Sequence, residues 1–235
     1  MKTPISFVQP NFQTGPKHLN AFYLPYTSGI LWAYARQNKK ISNNFDVEYF
    51  VYKRHPFVNN FNRVKDSQII FFSVYVWNYK YCLQLAKEVK EHNPEALILF
   101  GGPQLPYSDS EFFDKYPYVD SICVGEGEHV VEQVLLDYLD NKPIEKIVRA
   151  ERIKDMKLPS PYLDGVFDEL MAEHPEVLWN PTLETDRGCP YKCTFCDWGG
   201  LTNSKVYKFE LDRVCLLYTS PSPRDQRGSR IAACA

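Results

Sequence analysis

Three cysteines fall within eight residues, in the run Arg187-Gly188-Cys189-Pro190-Tyr191-Lys192-Cys193-Thr194-Phe195-Cys196. Thiolates at spacings of three and then two intervening residues suit an iron–sulfur cluster wrapped by one tight loop. Three thiolates hold three irons of a [4Fe-4S] cube, so the fourth iron keeps an open position. An open position separates a catalytic metal centre from a closed structural one. Gly188 and Pro190 favour an irregular loop around the first ligand. Backbone N–H groups of such a loop can hydrogen-bond the sulfurs and tune the reduction potential. Structural zinc is the competing reading. It usually pairs Cys-x-x-Cys twice and needs a fourth ligand, and the nearest candidate, His174, lies upstream in a Pro-flanked turn.

Several elements must carry this loop. Ile5–Gln9 reads as a buried strand. Leu24–Gln37 has helical spacing, with Thr27 or Ser28 available as its cap. Phe45–Tyr52 alternates like a strand, and Gln68–Val76 is a denser apolar run that fits a strand covered on both faces. Asn78 opens a helix over Tyr79–His92. A strand over Ala96–Phe100, a short helix over Asp109–Lys115, a strand over Val119–Val124 and a helix from Gly125-Glu126-Gly127-Glu128 to about Leu139 complete the series. This alternation predicts an α/β domain, a five-stranded, flavodoxin-like, doubly wound parallel sheet.

Ligands of such sheets bind beyond the carboxyl ends of the strands. Ser73, Tyr75, Gly101, Gly102, Pro103, Gly125, Glu126 and Gly127 fall at those ends and are the candidate ligand contacts. The competing reading is that the glycines only make tight turns, and that Glu126 and Glu128 favour a helix dipole. His129 reads as a surface or packing residue. Cys82 and Cys123 read as core, as do Trp32, Tyr34, Phe71 and Phe72.

The chain divides into this domain over residues 1–140, a Pro-rich linker over 141–180 with one amphipathic piece near Phe167–Ala172, and a segment over 181–214. In the last, Thr182–Thr185 reads as a strand leading into the cysteine loop and Phe209–Val214 opens a helix. The stretch Cys215–Asp225 resembles a translated sequencing adapter, so residues 215–235 are expected to be artefactual and the barrel to be cut short. The 235 residues carry a net charge of −2; without the tail it is −4 (24 basic, 28 acidic). Neither value suits sequence-independent nucleic-acid binding. No run of 18 apolar residues predicts a membrane span. No signal peptide is visible, and clustered cysteines without one point to a reducing, cytoplasmic setting.

The run Glu184 to Gly199, with its Cys-x-x-x-Cys-x-aromatic-Cys core, resembles the signature of the radical S-adenosylmethionine (SAM) superfamily. It is similar to the version seen in members with an N-terminal cobalamin-binding domain. The segments Leu24-Pro25-Tyr26, Trp77-Asn78, Gly101-Gly102-Pro103, Gly125-Glu126-Gly127-Glu128 and Ser160-Pro161-Tyr162-Leu163 stand in that family's order. The resemblance therefore covers nearly all of residues 1–214 and implies that a radical SAM partial (β/α) barrel begins after the linker. It implies Cys189, Cys193 and Cys196 as ligands of the [4Fe-4S] cluster, with Phe195 beside it and SAM chelated by the open iron. It implies reductive cleavage of SAM, a 5′-deoxyadenosyl radical and often methyl transfer. An electron donor such as flavodoxin or ferredoxin and a small-molecule substrate would be the partners. The switch-point residues would hold cobalamin. The Asp-x-His-x-x-Gly loop that ligates cobalt in mutases is missing, so cobalamin would bind without a protein imidazole, or the domain is vestigial. The fragment itself is expected to be inactive, and a non-catalytic cluster- or cobalamin-binding module is the alternative.

Overall fold

The computed structural model describes residues 2–16, 18–106, 111–191, 194 and 205–219. The chain forms two compact units. The first is Met1–Ile153 with Leu158–Thr182, and the second is Lys154–Lys157 with Leu183–Ala235.

The first unit is built on a six-stranded parallel sheet. Its strands are β1 (Thr3–Asn11), β3 (Phe45–Lys53), β4 (Ile69–Ser73), β5 (Leu97–Gly101), β6 (Ser121–Val124) and β7 (Ile147–Arg149). The order is β3-β1-β4-β5-β6-β7. Setting β7 aside, this is the flavodoxin order 2-1-3-4-5. All five residues of β4 are buried, as expected for a central strand with helices on both faces. Phe7 of β1 stacks between Phe50 and Phe71 of the flanking strands, at 5.4 and 5.1 Å. Trp32 of α1 (Tyr26–Ala35) closes over Phe7 at 6.4 Å. Aromatic side chains on three adjacent strands thus fix the helix that follows β1.

α1 packs on α6 (Glu128–Leu139), and α3 (Phe57–Val64) packs on α4 (Tyr79–His92). The remaining helices of this unit are α2 (Lys39–Asn44), α5 (Glu111–Lys115) and α7 (Asp168–Glu173). A small parallel pair, β2 (Ala21–Tyr23) with β8 (Leu178–Asn180), stands outside the main sheet. Among the described residues, no helix is long and apolar enough to cross a membrane.

Four expectations change. The sheet has a sixth strand, β7, because Ile147 and Val148 find a free edge on β6. Residues 141–180, expected as a linker, supply β7, α7 and β8. Thr27 and Ser28 do not cap α1. The helix begins at Tyr26 after Pro25, and Gln9 of β1 supplies the missing acceptor, its Oε1 taking the Ser28 N–H at 3.0 Å. The strand expected over Thr182–Thr185 lies later, at β9 (Asp186–Arg187).

The second unit pairs β9 antiparallel with β10 (Tyr207–Lys208), and α8 (Leu211–Thr219) follows. Phe209 N–H bonds the Thr185 carbonyl at 3.1 Å, and the Arg213 guanidinium lies 4.1 Å over the Phe209 ring.

Candidate functional site

In this strand order the chain leaves β1 and β4 towards opposite faces, so a crevice opens between their carboxyl ends. The residues there are neither uniformly polar nor buried. Phe12 is 49% exposed, Trp77 42% and Val76 75%. Tyr75 and Trp77 stack nearly parallel, 4.6 Å apart at 7°. Phe12 meets Trp77 edge-on at 6.2 Å and Tyr23 at 6.4 Å. These rings form an exposed aromatic shelf spanning the exits of β1, β2 and β4. A soluble surface rarely leaves adjacent large aromatics uncovered without a ligand or partner.

Beneath the shelf lies a polar support. The Tyr75 hydroxyl bonds the Thr27 hydroxyl at 2.9 Å, and Gln9 Nε2 reaches Thr27 at 3.4 Å. Arg54, just past β3, donates to the Trp77 carbonyl at 3.3 Å. β8 brings Asn180 beside this region. Asn180 Nδ2 donates to Thr14 Oγ1 at 2.6 Å and its carbonyl accepts Leu24 N–H at 3.0 Å. Behind it, Trp179 packs on Tyr52 at 4.7 Å, and His174 bonds the Tyr49 hydroxyl at 2.9 Å. Burial holds His174 below its ordinary pKa and Tyr52 above its own.

The residues expected to contact a ligand are placed as follows. Ser73, Gly101 and Cys123 are adjacent in register across β4, β5 and β6, so the strand ends do converge on one edge. Ser73 is buried. Gly102 has φ +118, and a Cβ there would come within 2.4 Å of the Val74 carbonyl, so internal packing accounts for this glycine. A Cβ on Gly101 would meet only Cys123, at 3.6 Å, an ordinary contact. Gly127 lies against Leu31. Pro103 and Gly125 are exposed. Glu126 faces inward along the chain: its carboxylate accepts Ile153 N–H at 2.8 Å and lies 3.7 Å from Arg152. It therefore ties down the segment after β7. Burial pushes the Cys123 thiol up to about 12, which suits a core residue and not a thiolate ligand.

In the second unit, Gly188 has φ +114, a region that glycine enters without strain. Half-buried Cys189 follows directly. Arg187 and Glu184 make a bidentate pair at 2.7 and 3.0 Å. The β9–β10 pairing joins Arg187 to Tyr207 and so brings together the two ends of the segment that holds the cysteines. Cys193, Phe195 and Cys196 lie outside the described residues.

Residues 41–135 match the B12 binding domain family model. The chain is 36% identical over 214 residues to the cobalamin-dependent radical SAM methyltransferase TokK of Streptomyces tokunonensis, covering 82% of this chain and 31% of that protein. It is 33% identical over 215 residues to the 2-(S-pantetheinyl)-carbapenam-3-carboxylate methyltransferase of Streptantibioticus cattleyicolor, covering 83% and 32%. The anaerobic magnesium-protoporphyrin IX monomethyl ester cyclase of Cereibacter sphaeroides is 21% identical over 209 residues. The chain belongs to the B12-binding radical SAM proteins. It spans about a third of the length of these relatives.

The exposed shelf residues Phe12, Tyr23 and Trp77, with Thr27 bonded to Tyr75 beneath them, were not among the expected ligand contacts. Aromatic residues near strand ends are usually core, and only the path of the loop between β1 and α1 leaves these uncovered. The available signal was local: Val76-Trp77 continues an apolar run beyond the end of β4.

Proposed function

We propose that this chain is the cofactor-holding front part of a cobalamin-dependent radical SAM methyltransferase. The observation that carries the reading is the exposed aromatic shelf at the switch point of a unit whose residues 41–135 match the B12 binding domain. The residues present suit a corrin: a broad ring system with apolar faces fits beside Tyr75, Trp77 and Phe12. The side-chain-free edge at Gly101 leaves room for the nucleotide arm, and Arg54 supplies a cation nearby. Cobalamin, when bound, supplies a carrier for a methyl group. The chain's own work is to remove water from one face of the corrin and to fix its orientation through the Thr27–Tyr75–Gln9 support.

Cys189, Cys193 and Cys196 are proposed to ligate a [4Fe-4S] cluster. Such a cluster, when bound with SAM, supplies the electron that cleaves the sulfonium. Arg187 and Gly188 support this role by setting the path of the backbone into Cys189. A small-molecule substrate and a one-electron donor such as flavodoxin or ferredoxin would complete the system.

Two measurements test the reading. Equilibrium dialysis should show the full chain retaining one methylcobalamin. Anaerobic reconstitution should give a brown, iron-loaded protein that Cys193→Ala leaves colourless without loss of cobalamin uptake. No retention of methylcobalamin would sink the first assignment. Stoichiometric zinc in place of iron, or iron retained by Cys193→Ala, would sink the second.

A further inference from the structure

Asn78 stands between the shelf and the sheet and has a fully committed side chain. It is 1% exposed. Its Oδ1 accepts the Tyr75 N–H at 2.8 Å. Its Nδ2 donates to the Ser73 carbonyl at 3.0 Å and to the Pro10 carbonyl at 3.4 Å. Its own N–H bonds the Tyr75 carbonyl at 3.0 Å, and its carbonyl accepts Cys82 N–H at 2.9 Å to start α4. One carboxamide therefore ties the end of β1 to the end of β4 and folds Tyr75-Val76-Trp77 into a tight turn. Strands diverging at a switch point have no ladder bond beyond their ends, so some side chain must replace it.

We infer that Asn78 is the positioning residue of the corrin site: it holds the Tyr75–Trp77 pair in register with the β1 exit, and so sets the plane on which the cofactor lies. This rests on the cobalamin reading above. Only a carboxamide offers one acceptor and two donors in this geometry. Aspartate has the same shape but turns an oxygen towards two carbonyl oxygens, and it leaves two buried acceptors unsatisfied.

The test compares the full chain with Asn78→Asp and with Ser67→Ala as control. Ser67 is equally buried and bonds Ser6 and Glu48, but at the opposite end of β4. Asn78→Asp should weaken methylcobalamin retention by about tenfold or more at pH 8, and Ser67→Ala should leave it unchanged. The loss should shrink at pH 6, because burial against two carbonyls raises the carboxyl pKa and its protonated form regains one donor. Equal affinity in Asn78→Asp overturns the inference, and so does an equal loss in Ser67→Ala. Should Asn78→Asp fail to fold by circular dichroism, Asn78→Ser, which keeps one donor, is held to the same two outcomes. Failure of the unsubstituted chain to retain methylcobalamin would overturn the cobalamin reading instead. The positioning role is then judged on the unliganded protein, where the emission of Trp77, isolated by difference from Trp77→Phe, must shift in Asn78→Asp. An unchanged spectrum overturns it.

Discussion

At the scale of single residues, the candidate site separates side chains that bind from side chains that hold. Trp77 is exposed and touches Tyr75 and Phe12, so removing it costs the fold little and a stacked ligand much. Trp77→Ala is expected to weaken methylcobalamin binding at least about tenfold while changing stability by less than about 1 kcal/mol. Dialysis and a denaturant titration read the two effects, and a large stability loss with unchanged affinity would show Trp77 to be structural. The glycines divide in the same way. Gly102 and Gly127 were legible in the sequence as special positions, but the sequence does not tell a glycine that admits a ligand from one that admits its own backbone. A Cβ on Gly102 would run into the backbone of Val74, whereas one on Gly101 would make only an ordinary contact with Cys123. Glu126 shows the same limit. Its position after β6 implied a ligand contact, and the sequence did not show that its carboxylate also accepts a bond from the chain 27 residues later.

At the scale of elements, periodicity found each of the strands that are deeply covered. β4 and α4 were legible because dense apolar runs and three-and-four spacing each leave one interpretation. α2 was not legible, since Lys39–Asn44 has a single buried residue, Ile41, and owes its start to the Asn38 side chain accepting Lys40 N–H. α1 was legible as a helix but not in its cap, because Gln9, the capping acceptor, is 19 residues away in sequence. The same helix contains a contact that sequence alone cannot reveal. A Cβ on Gly29 would lie 2.2, 2.8 and 3.0 Å from three ring atoms of Phe167. Ala in place of Gly gains about 1 kcal/mol of helix propensity. Forcing a methyl into a packed ring costs about 1–3 kcal/mol, and with three ring atoms this close the upper end applies. Gly29→Ala should therefore destabilise the protein by about 1–2 kcal/mol net. Phe167→Leu added to it should cost less than the two changes summed. A stabilising Gly29→Ala would show that Phe167 has room to move.

At the scale of the whole molecule, the boundary of the first unit decides what can be studied alone. Composition placed the end of the domain near residue 140, where prolines and charges begin. The structure carries the same core through residue 182. β7 covers the edge of β6, and Val166, Phe167, Leu170 and Val177 are buried against the earlier elements. Pro-rich composition hid this, because the segment contacts the core through scattered side chains and not through a periodic stripe. The magnitudes argue for the longer unit. Each such side chain contributes about 1.5–3 kcal/mol when buried, so four together rival the ~5–15 kcal/mol that hold an ordinary domain folded. A chain ending at residue 140 also loses β8, and with it the bonds from Asn180 to Thr14 and Leu24 that brace the loop beneath the shelf. Residues 1–182 expressed alone should melt in one cooperative transition and retain methylcobalamin as tightly as the full chain. Residues 1–140 should show no cooperative melt and no retention. If instead 1–140 melts as sharply as 1–182 and binds as well, the segment from 141 to 182 is a passenger on the first unit, and the brace assigned to β8 plays no part in holding the cofactor.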